Sequence, residues 1–404
     1  MYPKNRCSSK NALSIVAAIW FIQFFTVTPF TYGSSVVLTN MALGGKFSTS
    51  LIGFTSSAYY AANMLFSAMA SVIIKKKGLR FSVGLGCSIV LAAGMSVAFF
   101  GSCASAYICA FFVIGAGTVL SSIISGPSLI DGWFTEGKSM AMAVLMTSGA
   151  VGGFAMPLIS EYVVSSLGYR ACWLFYGLLG ICALLICVLF IKNPDSVKVQ
   201  QQKSGSVLND SARANGIVPF VKLKHIAVWS ALFGSRIIYT GTVSYIVLFS
   251  MQKGLSSILA AASLSAFHAF GLLGRLFGGV GMPMSARKRI SFSYLIVALG
   301  GFVLCSATTS AQIFAAVIII GFFYSSTFTL VPIMISECFG DKSFSASYGF
   351  CNTVSCAGGM LAPLIVSYIS HASPHGFGAA FFAASIISVF CALLMYIARS
   401  SEKI

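Results

Sequence analysis

Acidic residues are scarce in this sequence. Only 8 of its 404 residues are Asp or Glu, and charged residues of both signs make up 8% of the chain. A soluble protein of this length would expose far more charge. The hydrophobic residues, 57% of the total, fall instead in apolar runs of about 20 residues, the length that crosses a bilayer core. The composition therefore excludes a soluble globular protein and predicts a polytopic membrane protein.

The sequence also lacks the motifs of metal, nucleotide and hydrolase sites. Its 12 cysteines form no CxxC pair and no Cys/His cluster at metal-ligand spacing, so we interpret them as packing residues. The glycine-containing stretch 115–127 lies in an apolar span and is no phosphate loop, and no Walker motif or Ser/His/Asp cluster occurs. We therefore expect no metal, no cofactor, no ATP-driven transport and no enzymatic activity.

Positive charge is abundant but confined to short segments between apolar runs. Twenty of the 25 Lys and Arg residues fall on one predicted side of the membrane, three on the other, and two inside spans. This asymmetry follows the positive-inside rule and places both termini in the cytoplasm. The net charge of +17 therefore does not indicate a nucleic-acid partner.

The apolar runs predict an all-α membrane protein with twelve transmembrane helices in two parallel six-helix bundles. The first bundle occupies residues 1–191, and the second occupies 225–404. In the first bundle we predict the first span near Leu13–Tyr32, the fifth near Met140–Val164 and the sixth near Ala171–Ile191. Residues 192–224 between them are polar, rich in Gly, Ser and Asn, and without periodicity. We interpret this stretch as a cytoplasmic linker.

A repeated string supports two parallel halves. The pattern GGxxxPLI occurs once in each half at the same inner spacing, and a basic loop follows the second helix of each half. Transporters built from such repeats bind substrate near the midplane and expose it to each side in turn. Glycines allow close helix contact and prolines bend helices. The residues that we expect to act in packing and conformational change are Gly149, Gly152, Gly153, Pro157, Gly358, Gly359 and Pro363.

Arg275 lies inside an apolar run, where insertion of the charge costs about 2.5–3.5 kcal/mol. We place all eight acidic residues in loops, tails or helix ends, so we expect the counter-ion to be a substrate anion. A guanidinium group binds a planar carboxylate through two hydrogen bonds. The alternative is a structural arginine that bonds to helix carbonyls or snorkels to the surface.

Two further ionisable residues are candidates for the same cavity. Arg236 lies about ten residues, or roughly 15 Å, into the seventh span and would supply a second cation, unless that helix starts later and leaves it at the rim. His268 precedes Arg275 by seven residues on nearly the same helix face. It is either a proton-sensitive cavity group or a histidine satisfied between helices.

Several segments resemble the oxalate:formate antiporter branch of the major facilitator superfamily, a close relative of the monocarboxylate transporters. GRLFGGVGMPMSARKR at 274–289 is similar to the helix-eight signature of that branch, and FGDKSFSASYGF at 339–350 to its loop into helix eleven. Residues 133–159 and 168–177 are similar to its helix four-to-six region. The resemblance implies the twelve-helix fold and places Tyr32, Tyr59, Tyr60 and Tyr324 where the family builds an aromatic cage. Membrane tyrosines otherwise serve in packing or in the interfacial belt.

The sequence departs from the family pattern at four positions. Lys75 and Pro283 stand where the superfamily usually has a loop aspartate, and Ser355 stands where the oxalate carriers have a second cation. Gly271 stands where proton-coupled monocarboxylate carriers have an aspartate. Gly271 and the absence of a carboxylate in the middle of a span disfavour acid-mediated proton symport, and Ser355 leaves a hydroxyl in the place of the second cation.

We therefore expect a secondary carrier of a small organic anion, a mono- or dicarboxylate, that works by exchange or facilitated diffusion. The alternatives are a carrier of an amino acid or another small metabolite on the same fold, and a receptor that binds without transport. We expect a monomer in the plasma membrane, with the anion and the lipid bilayer as its partners.

Overall fold

The structure is a computed structural model that describes residues 9–100, 103–134, 138–192, 223–279, 284–339 and 344–398. These ranges are helical and contain no strand. Most of the predicted linker 192–224, both chain ends and Pro283 lie outside the described residues. The helices are α1 (Ser9–Thr28), α2 (Ser34–Leu43), α3 (Ser50–Lys77), α4 (Leu79–Phe100), α5 (Ala104–Thr118), α6 (Ser125–Trp133), α7 (Lys138–Phe190), α8 (Leu223–Gln252), α9 (Ser257–Gly279), α10 (Ala286–Cys305), α11 (Ser310–Phe339), α12 (Phe344–Ala372) and α13 (Phe377–Ile397).

Ten stretches of the described chain are long and apolar enough to cross a membrane. One of them, Val144–Phe190, has 47 residues, about twice the length that a bilayer requires. Gly168 interrupts α7 with φ 81°, a backbone conformation that glycine adopts at little cost. This break falls between the predicted fifth and sixth spans. An all-helical protein with many membrane-spanning stretches is confirmed, and the count of twelve stays a prediction.

Two π turns interrupt the membrane-spanning stretches. Pro29–Gly33 joins α1 to α2, so the first helical stretch runs to Leu43 rather than ending near Tyr32 as predicted. Val119–Ile123 separates α5 from α6. A π turn adds a residue to a helical turn and redirects the side chains around it, and such turns are frequent at functional sites.

The chain forms two compact units. The first contains Met1–Phe30, Ala62–Gly152 and Arg170–Phe220. Its buried core includes Ile22 and Leu145. Within it α7 approaches α1 closely, because a Cβ added at Gly152 would overlap the side chain of Thr28. At Gly152, α7 therefore lies close to Thr28 of α1.

The second unit contains Thr31–Ala61, Gly153–Tyr169 and Val221–Ile404. At several glycines in this unit, the backbone of one helix lies directly against the backbone of its neighbour. A Cβ at Gly274 of α9 would overlap the Phe322 carbonyl of α11, and a Cβ at Gly358 of α12 would overlap the Phe233 carbonyl of α8. Close approach of this kind depends on small residues. The division into bundles at 1–191 and 225–404 stays a prediction.

Arginine side chains bond to exposed carbonyls at helix ends in both units. In the first unit, Arg80 Nη2 donates to the Val188 carbonyl at 2.8 Å. In the second, Arg287 Nη1 donates to the Tyr396 carbonyl at 2.8 Å and to the Ala398 carbonyl. The last carbonyls of a helix have no intrahelical donor and carry partial negative charge. Each arginine stands at the start of one helix and stabilises the end of another.

Candidate functional site

Three helices of the second unit bring cationic and aromatic side chains together. On each helix the relevant pair stands three, four or seven residues apart, so both members share one face. Because α9 lies against the backbone of α11 through its glycines, the side chains beside those glycines are placed next to α11. The pairs are Arg236 and Tyr239 on α8, His268 and Arg275 on α9, and Tyr324 and Phe328 on α11.

Both arginines contact the same phenyl ring. The guanidinium carbon of Arg275 lies 5.1 Å from the ring centroid of Phe328, and that of Arg236 lies 5.9 Å from it. Arg236 also lies 5.3 Å from the Tyr239 ring and 5.7 Å from the Tyr60 ring. Cations at these distances are attracted by the electron-rich faces of aromatic rings. Both arginine side chains are half-buried. The two positive charges therefore lie beside the same group of aromatic rings.

Tyr239 stands at the centre of the aromatic group. Its ring stacks on Tyr324 at 4.8 Å with an interplanar angle of 18° and meets Phe328 edge-on at 5.6 Å. Tyr324 also lies close enough to Arg236 for an electrostatic interaction. Stacked and edge-on ring pairs of this kind form rigid pocket walls. The predicted residue Tyr324 is therefore beside an arginine.

Sequence reasoning missed Tyr239 and Phe328. The signal was present in the spacing, because Tyr239 follows Arg236 by three residues and Phe328 follows Tyr324 by four. Residues so spaced lie on one helix face. A search for aromatic side chains one turn from each candidate would have found both.

His268 and Tyr32 form the next part of the site. The two ring centroids lie 4.2 Å apart, and a Cβ at Gly153 would overlap the imidazole ring. His268 is 2% exposed, and its Nε2 atom has no hydrogen-bond partner in the described part of the chain. Buried polar atoms are almost always hydrogen-bonded, so an unbonded one requires an explanation. Tyr32 reaches His268 from the π turn Pro29–Gly33.

Tyr59 and Ser355 are neighbours of residues that contact Arg236. Tyr59 packs against Tyr60 at 5.4 Å and accepts a hydrogen bond from Thr31 at 3.4 Å. Arg236 meets α12 at Gly359, where an added Cβ would lie 3.3 Å from Arg236 Cγ. Ser355 is half-buried and precedes Gly359 by one turn on the same face of α12.

The remaining predicted packing residues lie inside helices. Gly149 is half-buried in α7, and Pro157 and Pro363 are buried in α7 and α12. A Cβ at Gly53 would lie 3.1 Å from the Pro363 carbonyl, so α3 passes close to the proline of α12. Their part in conformational change stays a prediction.

Gly271 has no room for a larger side chain. A Cβ at this position would lie 2.6 Å from Ser325 Oγ and 3.4 Å from the Gly321 carbonyl. An acidic side chain at this position, one turn before Arg275, would therefore require the Ser325 side chain to move.

One acidic residue is not where the sequence analysis placed it. Glu161 lies inside α7, seven residues before the break at Gly168, and is 3% exposed. The prediction that every acid lies in a loop, a tail or a helix end is wrong for this residue. The predicted fifth span ended at Val164, whereas the helix continues to the glycine, so Glu161 is more deeply enclosed than the sequence suggested.

Comparison with known proteins identifies the family. The family model for the Major Facilitator Superfamily matches residues 15–310 and 284–404, nearly the whole chain. The chain belongs to the Major Facilitator Superfamily. Superfamily membership was the expectation from the helix-eight and helix-eleven segments, and it is confirmed.

Relatives within the superfamily are distant. The MFS-type transporter pytF of Aspergillus terreus is 28% identical over 155 residues, which are 38% of this chain and 49% of that protein. Monocarboxylate transporter 2 of Mesocricetus auratus is 23% identical over 337 residues, covering 78% of this chain and 69% of that one. The chain thus spans about half the length of pytF. The similarity to the second relative agrees with the expected resemblance to the monocarboxylate branch.

A solved structure shows the same fold. The crystal structure of a D-xylose-proton symporter superposes with a TM-score of 0.75 at 14% identity, covering 96% of this chain and 97% of that one. At this identity the likeness concerns the fold alone. Both relatives are named as transporters, so the expectation of a transporter family rather than an enzyme family is confirmed.

Proposed function

We propose that this superfamily member is a secondary transporter of a small organic anion, a mono- or dicarboxylate. It works by exchange or facilitated diffusion with alternating access. The observation that carries the proposal is the placement of Arg236 and Arg275 around the Phe328 ring. Two like charges held together inside an apolar helical protein are costly unless an anion joins them.

The chemistry of the site suits a carboxylate. A guanidinium group presents paired N–H donors that match the two oxygens of a carboxylate. The Nε atom of Arg236 and the Nε2 atom of His268 are buried and have no hydrogen-bond partner within the described residues. Substrate oxygens would satisfy such atoms. Tyr32, Tyr60 and Tyr324 would enclose the carbon skeleton with aromatic walls.

The membrane topology that we propose has twelve spans in two bundles, 1–191 and 225–404, with both termini in the cytoplasm of a plasma-membrane protein. Two observations support twelve rather than ten. The 47-residue stretch Val144–Phe190 is broken at Gly168 and is long enough for two spans. Helix α3 has 28 residues, enough to cross a bilayer.

The repeated halves support alternating access. Arg80 at the start of α4 and Arg287 at the start of α10 each bond to the end of a later helix in their own half. Parallel repeats that share internal contacts are the basis of rocking motions around a central site. In this mechanism the anion binds at Arg275 and the two bundles open to each side alternately.

The test is counterflow. Proteoliposomes loaded with an unlabelled organic acid are placed in a trace of the labelled acid, across a panel of mono- and dicarboxylates, with amino acids and neutral sugars as comparison substrates. Transient accumulation of a carboxylate is expected. Accumulation of amino acids or sugars and of no carboxylate would contradict the proposal and favour a carrier of another metabolite. Binding without any flux would favour a receptor.

A further inference from the structure

A groove opens between α4 and α5 of the first unit, with a volume of about 360 Å³. The two helices are in backbone contact farther along, since a Cβ at Gly86 would lie 2.6 Å from the Gly117 carbonyl. In the groove itself several facing residues are alanines, whose side chains are too short to fill the space between the helices. The lining residues include Ile89, Ala92, Ser96, Ala106, Cys109 and Val113.

The groove presents hydrocarbon to whatever occupies it. Ala92, Cys109 and Val113 are exposed there. Ser96 bears a hydroxyl, but that group donates to the Ala93 carbonyl at 2.7 Å, within its own helix. An open apolar concavity on a pair of membrane-spanning helices suits an acyl chain. A water-soluble metabolite would lose its hydration there without gaining polar contacts.

A cation lies just beyond one end of the groove. On α4 the lining residues Ile89, Ala92 and Ser96 stand three or four residues apart, and Phe99 is the next residue on that face. The Phe99 ring is 57% exposed. The guanidinium carbon of Arg170, which is also exposed, lies 5.8 Å from the centroid of this ring. The positive charge is therefore about one helical turn past the groove.

This end of the groove lies where the helices reach the membrane surface. Helix α4 ends at Phe100 and α5 begins at Ala104. Arg170 follows the break at Gly168 by two residues, between the predicted fifth and sixth spans. Lipid headgroups lie at the ends of membrane-spanning helices. A guanidinium group at that depth matches a phosphate, which it binds through paired N–H donors.

We propose that the groove binds one acyl chain of a phospholipid whose phosphate group contacts Arg170. The stretch of α4 from Ile89 to Ser96 is about 10 Å long, enough to hold the upper part of a chain. Phe99 lies between this stretch and the phosphate. The inference concerns a lipid site in the first unit and does not depend on the substrate proposed above.

A second copy of this chain suits the groove less well. The predicted topology places every acidic residue except Glu161 at the opposite membrane surface, and Glu161 is buried. A copy packed in the groove would therefore bring no exposed carboxylate to Arg170. Every phospholipid, in contrast, carries a phosphate beside its acyl chains.

The experiment is native mass spectrometry of the full-length protein in detergent, titrated with dioleoyl phosphatidylcholine. This lipid has a phosphate but no net charge, so it is attracted only weakly to the basic cytoplasmic loops. We expect the dissociation constant of the first bound lipid to rise about fivefold in Arg170→Gln, the effect of an exposed charge pair. Lys253→Gln is the matched control, because Lys253 is also an exposed cation over a phenyl ring, 5.5 Å from the centroid of Phe249. Its dissociation constant should equal that of the wild type.

A second pair of variants tests the groove itself. Cys109→Phe places a ring in the groove and is expected to weaken the first lipid about fivefold or more, because the acyl chain loses its apolar contacts. Cys182→Phe adds the same ring at another exposed cysteine of the first unit, on α7 and outside the groove lining. This control should bind the lipid as the wild type does.

Each contrary result overturns a stated part of the proposal. Equal dissociation constants for wild type and Arg170→Gln overturn the phosphate contact, and equal constants for Cys109→Phe and Cys182→Phe overturn the groove. Dimers that carry no lipid would assign the groove to a second copy. If Arg170→Gln does not fold, dioleoylglycerol decides the same point with the wild type, because it has the same acyl chains without a phosphate. Binding of dioleoylglycerol as tight as that of the phospholipid overturns the proposal.

Discussion

Arg236 and Arg275 lie on different helices but contact the same side chain, with guanidinium carbons 5.9 and 5.1 Å from the Phe328 ring centroid. The ring partly compensates the positive charge of each group and limits their orientations. A dicarboxylate would bridge the two groups, and a monocarboxylate would bind one or share both. In the proposed function, this pair is where the anion is held.

The Phe328 ring is expected to organise both guanidinium groups for the anion. Phe328→Leu keeps an apolar side chain but removes the π face, so two cation–π contacts of about 0.5–1 kcal/mol each are lost. Because pre-organisation contributes to affinity, we expect the KM for the anion to rise on the order of tenfold. Counterflow at varied anion concentration measures this change.

Phe322→Leu is the matched control for that variant. Phe322 lies on the same helix, and its ring packs against Phe277 at 5.4 Å instead of an arginine. Its KM should stay close to that of the wild type. Equal KM values for the Phe328 and Phe322 variants would contradict the role assigned to Phe328.

The contact between α9 and α11 is expected to be intolerant of a single methyl group. In Gly274→Ala the new Cβ would overlap the Phe322 carbonyl, a backbone atom that cannot move aside without shifting a helix. Overpacking of this kind costs about 1–3 kcal/mol. Thermal unfolding in detergent should show a lower midpoint. Gly84→Ala is the control, because its nearest neighbour is Cys187 Sγ at 3.8 Å, and an equal midpoint in both variants would refute the expectation.

Helices α3 and α8 are expected to separate during transport. The hydroxyl oxygens of Ser56 and Ser244 lie 3.4 Å apart, within range of a disulfide after substitution of both residues by Cys. Mild oxidation of the Ser56→Cys/Ser244→Cys protein should stop counterflow, and reduction should restore it. The single Cys variants and the wild type, treated alike, control for the native thiols. Undiminished flux through a fully cross-linked protein would contradict movement at this contact.

Cys103 tests the membrane orientation. It precedes α5, is exposed, and lies 3.2 Å from Ser105 Oγ. Hydrogen bonds from Ser105 and from the Ala106 amide lower the pKa of its thiol. A lowered pKa raises the thiolate fraction at neutral pH, and the thiolate is the reactive form. An impermeant maleimide should therefore label intact cells at this residue, and labelling should persist as the pH falls below the range of an ordinary thiol.

The variant Cys103→Ser identifies that labelling, because the signal should disappear with the thiol. If Cys103 reacts only after the cells are permeabilised, the loop lies in the cytoplasm. The orientation derived from the distribution of Lys and Arg would then be wrong.

Charge and spacing in the sequence predicted much of the candidate site. Arg275 was found because a charge in an apolar run is conspicuous, and Arg236 because it lies far inside its helix. The structure places Arg236 13 residues after the first residue of α8, Leu223. Their common partner Phe328 was not found, because a phenylalanine in an apolar helix does not differ by composition from its packing neighbours.

Local irregularities explain most of what the sequence did not predict. Glu161 was assigned to a helix end because the fifth span was closed at Val164, whereas only the glycine at 168 adopts the positive φ that breaks the helix. The π turn at Pro29–Gly33 extends the first helical stretch to Leu43 and carries Tyr32 to His268. Neither the helix break nor the π turn can be predicted from the spacing of hydrophobic residues.

The most direct test of the central claim is counterflow of the organic acid by Arg275→Ala, compared with wild type at equal amounts of protein. A size-exclusion profile and unfolding midpoint like those of the wild type must first show that the variant is folded. Removal of a charge that binds the substrate directly is expected to lower uptake at least on the order of tenfold, the loss of about 1.4 kcal/mol of binding free energy. Arg275→Lys should recover only part of it, because an ammonium group cannot bind a carboxylate through a fork. Uptake by folded Arg275→Ala at the wild-type rate would contradict the account.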